Sequence, residues 1–177
     1  MAVKVTDPHD LLLHKLSVML TTEREIERML PTLGKEAHDE ELRQGFERHL
    51  EETRGHVRNL EQAFQVLGAQ PQGTTAPVIE GLKAEHKGFA SAAADDVLPD
   101  VLDAVSTSSA AATEHHEIAA YEGIITLAKG LGLSGVAEAL QQNLDEEQQM
   151  LEDVKRISER LSKKEEKEAQ EVDQATS

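Results

Sequence analysis

The chain has no cysteine among its 177 residues, which excludes disulfides, thiolate metal sites, zinc fingers and cysteine nucleophiles. Any metal ion must therefore sit on oxygen and nitrogen. Tryptophan is also absent. Three phenylalanines and one tyrosine are the only aromatics, and with many Ala, Leu, Glu and Gln this disfavours strands and favours helices. No apolar run approaches the ~18 residues of a membrane span. Positive charge is in deficit: 18 Lys and Arg stand against 34 Asp and Glu. The resulting net charge of −16 repels phosphate backbones and anionic lipid, so no nucleic acid and no membrane is expected as a partner, and cations are favoured. Between Met1 and Asp10 there is one lysine and then Asp7-Pro8-His9-Asp10, with no apolar core of a signal peptide, so a cytoplasmic location is expected.

What is present is about one domain of helix. Asp7 can cap a first long helix with Pro8 at its first position, and Leu12, Leu16, Met19, Leu20, Ile26 and Leu30 recur at spacings of three and four. Pro31 should kink or end this helix, and Gly34 should close any continuation. A second stripe runs from about Glu40 through Leu42, Phe46, His49, Thr53, His56, Leu60, Phe64 and Leu67, stopping at Gly68. Residues 68–94 hold Pro71, Gly73, Pro77, Gly81 and Gly88 around a short helical stretch near Val78 to His86, which predicts a crossover. Asp95 and Asp96 can begin a third long helix that lasts to about Lys129. Ser134 caps a fourth, whose stripe is Val136, Leu140, Leu144, Glu147, Leu151, Val154, Ile157 and Leu161. The expected architecture is all-α: a ferritin-like four-helix bundle over 1–162 with one long crossover between the second and third helices, and a charged, disordered tail over 163–177.

The stripes carry acids where leucines belong. An unpaired ionised carboxylate in an apolar interior is prohibitively costly, so each intruder needs a reason. Glu23 sits at core spacing in the first helix, and Glu52 lies between His49 and His56 on one face of the second. Glu114 and Glu117 share the inner face of the third helix with Ile118, Tyr121 and Ile125, while Glu147 interrupts the stripe of the fourth. Height along the bundle gives a second test. With the hairpins centred near residues 37 and 132, Glu23, Glu52, Glu117 and Glu147 lie 14 or 15 residues from their turns. That is about 21–23 Å at ~1.5 Å per residue. Glu114 lies one turn further away. Five clustered carboxylates and the imidazole of His56 form a site for two divalent transition-metal ions, with iron or manganese favoured and zinc compatible. His49, His115 and Met150 are left open as additional donors. His115 and His116 point about 100° apart, so only one of them could face inward. Tyr121 is read as a packing residue whose hydroxyl finds a partner.

On these residues the sequence resembles the YciE/YciF-like ferritin-fold stress proteins, relatives of the rubrerythrins and ferritins. The matching segments are Thr22-Glu23-Arg24, the stretch from His49 to Glu61 that contains Glu52 and His56, the stretch Glu114 to Tyr121, and Leu144-Asp-Glu-Glu147. The resemblance spans roughly residues 7 to 162. It implies a ferritin-like bundle, dimeric assembly, a dinuclear metal centre and an association with stress. The usual ferritin-like pattern takes Glu-x-x-His from two helices, whereas here the second helix has Glu52-x-x-x-His56 and the third has Glu114-x-x-Glu117.

The expected function is a dinuclear metalloprotein that handles peroxide or reactive oxygen during stress. Its rival is a non-enzymatic, stress-associated interaction or assembly module whose buried metal only stabilises the bundle. A homodimer is expected and not a cage, because no fifth apolar helix follows Leu161. Gly130-Leu-Gly132-Leu-Ser-Gly135 matches G-x-G-x-x-G but follows a helix and reads as a turn between helices. The hydroxyl run Ser106 to Ser109, near His115 and Asp103, lacks the strained turn that a catalytic serine needs. Lys163-Lys164 is interrupted at once by Glu165 and Glu166, so it forms no basic arm.

Overall fold

The computed structural model describes the backbone of residues 5–92 and 97–175, and the side chains of 5–89 and 97–164. Five helices follow one another: α1 (Pro8–Glu36), α2 (Glu40–Val66), α3 (Pro77–Ala92), α4 (Pro99–Gly130) and α5 (Ser134–Ala175). No strand occurs among the described residues, and no helix there is long and apolar enough to cross a membrane. α1 with α2 and α4 with α5 form two antiparallel hairpins, and the packing of α2 on α5 and of α1 on α4 closes the four-helix bundle. α3 lies in the long connection between the hairpins and packs against α4 and α1.

Local chemistry sets most boundaries. The Asp7 carboxylate accepts the Asp10 N–H and caps α1, with Pro8 in the first turn. Of the kink or end expected at Pro31 the end does not occur, and Gly34 does not close the helix: α1 runs through both to Glu36. The exposed ring removes one hydrogen bond from the solvent side of the helix, while Leu30, Gly34 and Ala37 stay anchored in the core around it. At the far end of α2, Gly68 takes φ 61° and the Ala69 N–H reaches the Phe64 carbonyl at 3.0 Å, the left-handed cap that glycine accommodates. Gly132, at φ 73°, makes the same turn after α4, so the G-x-G-x-x-G run is a helix stop followed by a helix start. The crossover helix α3 is longer at both ends than the expected Val78–His86 stretch, and α4 begins at Pro99. Asp95 and Asp96, expected to start α4, lie outside the described residues. The backbone of α5 stays helical to Ala175, through the segment expected to form a tail. Lys, Glu, Gln and Ala, which make up most of that segment, are strong helix formers.

The interior is divided in two. One apolar cluster gathers Leu12, Leu16 and Leu20 of α1, Leu60 and Phe64 of α2, Ile124 and Ala128 of α4, and Leu140 and Leu144 of α5. The other gathers Ile26 and Leu30, Leu42 and Phe46, Ala110, and Met150 and Val154 of the same four helices, with Ile79 of α3. Each long helix passes from one cluster to the other through a short polar stretch, and these stretches hold the acids.

Candidate metal centre

Glu23, His49, His56, Glu114, Glu117 and Glu147 are all buried, none more than 2% exposed. They form two groups. His49, Glu114, Glu117 and Glu147 offer donor atoms within 4.8 Å of one another, and so do Glu23, His56 and Glu147. Glu147 belongs to both. Its Oε2 lies 3.5 Å from His49 Nε2 and its Oε1 3.0 Å from His56 Nδ1, so one carboxylate stands between the two imidazoles. His49 Nε2 is also 3.6 Å from Glu114, and His56 Nδ1 is 3.3 Å from Glu23.

Each imidazole is held from behind by a further acid. His49 Nδ1 meets Glu52 Oε2 at 3.3 Å, and His56 Nε2 meets Glu146 Oε2 at 2.8 Å. This arrangement fixes each ring so that its other nitrogen faces the inner carboxylates. Glu23 is held in turn by Tyr121, whose hydroxyl donates to it and accepts from Asn143 Nδ2 at 2.8 Å. Asn59 donates to Asn143 at 2.7 Å, extending the chain toward the surface. The Tyr121 hydroxyl thus finds the partners anticipated for it. Thr53 donates to the His49 carbonyl at 2.8 Å and so occupies its own hydroxyl within α2.

The electrostatics follow from burial at close quarters. Burial, then the charge of Glu147, pushes the carboxyls of Glu114 and Glu117 well above the ordinary 4.5. Glu23 is also raised by burial, with the neighbouring His56 working against it. Burial alone would lower His56, yet its contacts with Glu147 and Glu23 outweigh that and raise it to about 11. Glu147 falls below its ordinary value because the imidazoles of His49 and His56 outweigh its desolvation.

Eleven buried side-chain polar atoms of the described residues make no well-aligned hydrogen bond, and eight of them belong to these six residues, among them His56 Nδ1 and Glu147 Oε1, which meet only as an ion pair. Buried acceptors without donors are costly, and they converge on a shared space. Four carboxylates and two imidazoles are the donor count of ferritin-like dinuclear sites, and two divalent ions would neutralise the four charges. Oxygen and nitrogen donors of this kind fit iron, manganese or zinc.

Five of the six acid and imidazole residues singled out from sequence, Glu23, His56, Glu114, Glu117 and Glu147, lie in the two groups. Glu52 does not: its side chain is 29% exposed and bonds the back of His49. His49 takes the inner position instead. The signal was available in the stripe, where Phe46, His49, Thr53, His56 and Leu60 are the buried series of α2 and Glu52 is offset from it. Glu146, which the sequence reading missed, precedes a buried acid on a charged helix and carries no periodic signal of its own. His115 is exposed, His116 is half-buried and Met150 belongs to an apolar cluster, so none of these joins either group. Asp103 is fully engaged in accepting the N–H groups of His38 and Asp39 at 2.9 and 2.7 Å, away from any serine chemistry.

A family model described as Domain of unknown function (DUF892) matches residues 7–167. The chain is 31% identical over 139 residues to Protein YciF of Escherichia coli (strain K12), covering 78% of this chain and 82% of that protein. The crystal structure of the E. coli stress protein YciF superposes with a TM-score of 0.84 at 27% identity, over 90% of this chain and 99% of that one. YcfI of Rhodopseudomonas palustris, proposed to be a structural protein, superposes with a TM-score of 0.82 at 35% identity, over 88% of this chain and 97% of that one. A ferritin-like, diiron-carboxylate protein of Bacillus anthracis str. Ames shares the fold with a TM-score of 0.65 at 18% identity, over 87% of this chain and 99% of that one.

Proposed function

Because the chain belongs to the YciF-like ferritin-fold family marked by the DUF892 domain, we propose that it is a dinuclear iron or manganese protein that consumes peroxide or another reactive oxygen species during stress. The observation that carries this reading is the convergence of eight buried ligand atoms that make no well-aligned hydrogen bond, on six residues drawn from all four long helices and joined through Glu147. Glu23, His56 and Glu147 would hold one ion, and His49, Glu114, Glu117 and Glu147 the other. When bound, such a metal pair supplies electrons to, or accepts them from, an oxygen-derived substrate. The chain supplies the rest. Glu147 keeps the two groups in register, Glu52 and Glu146 orient the imidazoles, Tyr121 holds the Glu23 carboxylate, and the flanking apolar clusters exclude bulk water.

Anaerobic loading with Fe²⁺ followed by stepwise peroxide tests this directly. With ascorbate supplied as the reductant that returns the centre to Fe²⁺, consumption of many equivalents of peroxide per chain is the expected result. A single stoichiometric oxidation with no further turnover would favour the rival reading, an assembly module with a structural metal, which the description of YcfI as structural supports. The working form is proposed to be a cytoplasmic homodimer. Light scattering should return twice the mass of one chain; a mass many times larger would point to a cage.

A further inference from the structure

The second apolar cluster is not filled. A cavity of about 30 Å³ lies beneath α3, between α1 and α4, and its floor is made by His49 and Glu114. That space holds roughly two water-sized molecules. His49 Nε2 and Glu114 Oε2, both without hydrogen-bond partners, belong to the two residues at its inner end. The rest of its wall is mostly apolar, from Ile26 and Leu30 of α1, Phe46 of α2 and Leu82 of α3. On the α4 side the wall is low because Ser106, Ser109 and Ala110 stand where larger residues would fill the space.

The cavity also has an outer neighbour. A groove on the surface between α1 and α3 is lined by Glu25, Thr32, Glu36 and Lys83, and it shares Met29, Leu33 and His86 with the cavity. These three half-buried side chains form the partition between groove and interior. α3 is fastened over the partition by Lys83 to Glu25 at 2.6 Å and His86 Nε2 to Glu36 at 3.3 Å, while His86 Nδ1, on the buried side, has no partner.

We propose that this cavity is the access path by which a small, uncharged, weakly hydrated molecule of the size of dioxygen reaches the carboxylate centre, with Met29, Leu33 and His86 as its gate. The inference rests on the metal reading above and adds dioxygen, beside peroxide, as an oxidant of that centre, with its route. An apolar wall leaves no replacement for the hydration shell of an ion, so a hydrated cation or an oxyanion is selected against there. A neutral diatomic has no such shell to lose. Met29 and Leu33 turn over rotamers easily, and His86 can leave Glu36 for water at little cost, because that pair is partly exposed.

The test uses the full chain, methyl-labelled and free of metal, with dissolved oxygen as a paramagnetic probe. Methyl relaxation at Ile26, Leu30 and Leu82 should rise severalfold more than at Leu12, Leu60 and Leu140 of the other cluster. Ala110→Leu, which fills the cavity from α4, should bring the two sets to the same level. If that variant does not fold, Ser109→Leu fills the same space from a half-buried position. Equal relaxation in both clusters of the wild type, or an unchanged difference in a folded filled variant, overturns the proposal. In the iron-loaded chain, the filled variant should retain its metal stoichiometry and lose oxidation rate in air severalfold; an unaltered rate also overturns it. Failure of the wild type to bind metal would instead sink the functional reading, while the methyl data still decide whether oxygen enters.

Discussion

At the scale of single residues, the centre is a set of roles assigned by burial. Glu147 touches both groups, so Glu147→Ala should cost both metal ions. Elemental analysis after loading and desalting should show about two divalent ions per wild-type chain and a small fraction of that in the variant, with helical circular dichroism unchanged. His49 and Glu52 separate the two kinds of contribution. His49→Ala removes a donor from the inner group and should lose most of the metal held there. Glu52→Gln only releases the back of the His49 ring and should weaken metal affinity about 10–100-fold. Equal effects in calorimetric titration would show that Glu52 swings inward and ligates. The sequence made the acids legible because a carboxylate on an apolar stripe is conspicuous against leucine. It did not rank Glu52 below His49, since both lie on one helix face and only the fine angular offset, set by how α2 packs on α5, decides which is interior. Glu146 was illegible for the opposite reason: an acid on an acidic helix says nothing until a partner is seen.

At the scale of elements, the helices were readable from periodicity and caps, and their ends were less so. Leu12 to Leu30 and Val136 to Leu161 mark α1 and α5 plainly, because an apolar residue every three or four positions has no other stable use here. Pro31 does not end α1 because the contacts of Leu30 and Ala37 in the second cluster hold the last turn in place against proline's local cost. Asp103 illustrates a contact that no local pattern reveals. From α4, about 65 residues away in sequence, it accepts both backbone N–H groups of the α1–α2 turn. Asp103→Ala takes the shared acceptor from two part-buried backbone donors and should lower the unfolding free energy by about 2 kcal/mol. Asp39→Ala removes the cap of α2 and should cost about 1 kcal/mol, the lesser effect, since the exposed Arg160 guanidinium can turn to water and only the Leu42 backbone N–H loses its acceptor. Urea unfolding of the metal-free protein ranks the two; the reverse order would mean that the turn is held by something other than Asp103.

For the whole molecule, the polar layer between two apolar clusters makes stability a function of pH and of metal. Glu114 and Glu117 have folded values well above 4.5 because they are buried beside Glu147. A raised acid binds its proton more tightly in the folded state, so its contribution is fully present below the unfolded value and is lost as pH rises toward the folded one, by at most about 1.4 kcal/mol per pH unit for each group. His56, raised to about 11 from 6.5, keeps its full contribution below 6.5 and loses it only above that. Glu147, lowered from 4.5, loses its contribution only in more acid solution. The interval from about pH 5 to 6.5 therefore carries the falling contribution of the raised carboxyls, Glu23 beside Glu114 and Glu117, against an opposing one from His116, which burial lowers. Across it the unfolding free energy of the metal-free protein should fall with pH, and the Glu114→Gln, Glu117→Gln double variant, whose amides do not titrate, should show a flatter slope. Metal reverses the dependence, because it binds the deprotonated ligands of the folded chain and displaces their protons. Wild-type protein with saturating Mn²⁺ should thus gain stability over the same interval in which the metal-free protein loses it. Identical slopes for the metal-free wild type and the double variant would mean that Glu114 and Glu117 are solvated, and the buried layer would then not be the centre of this molecule's chemistry.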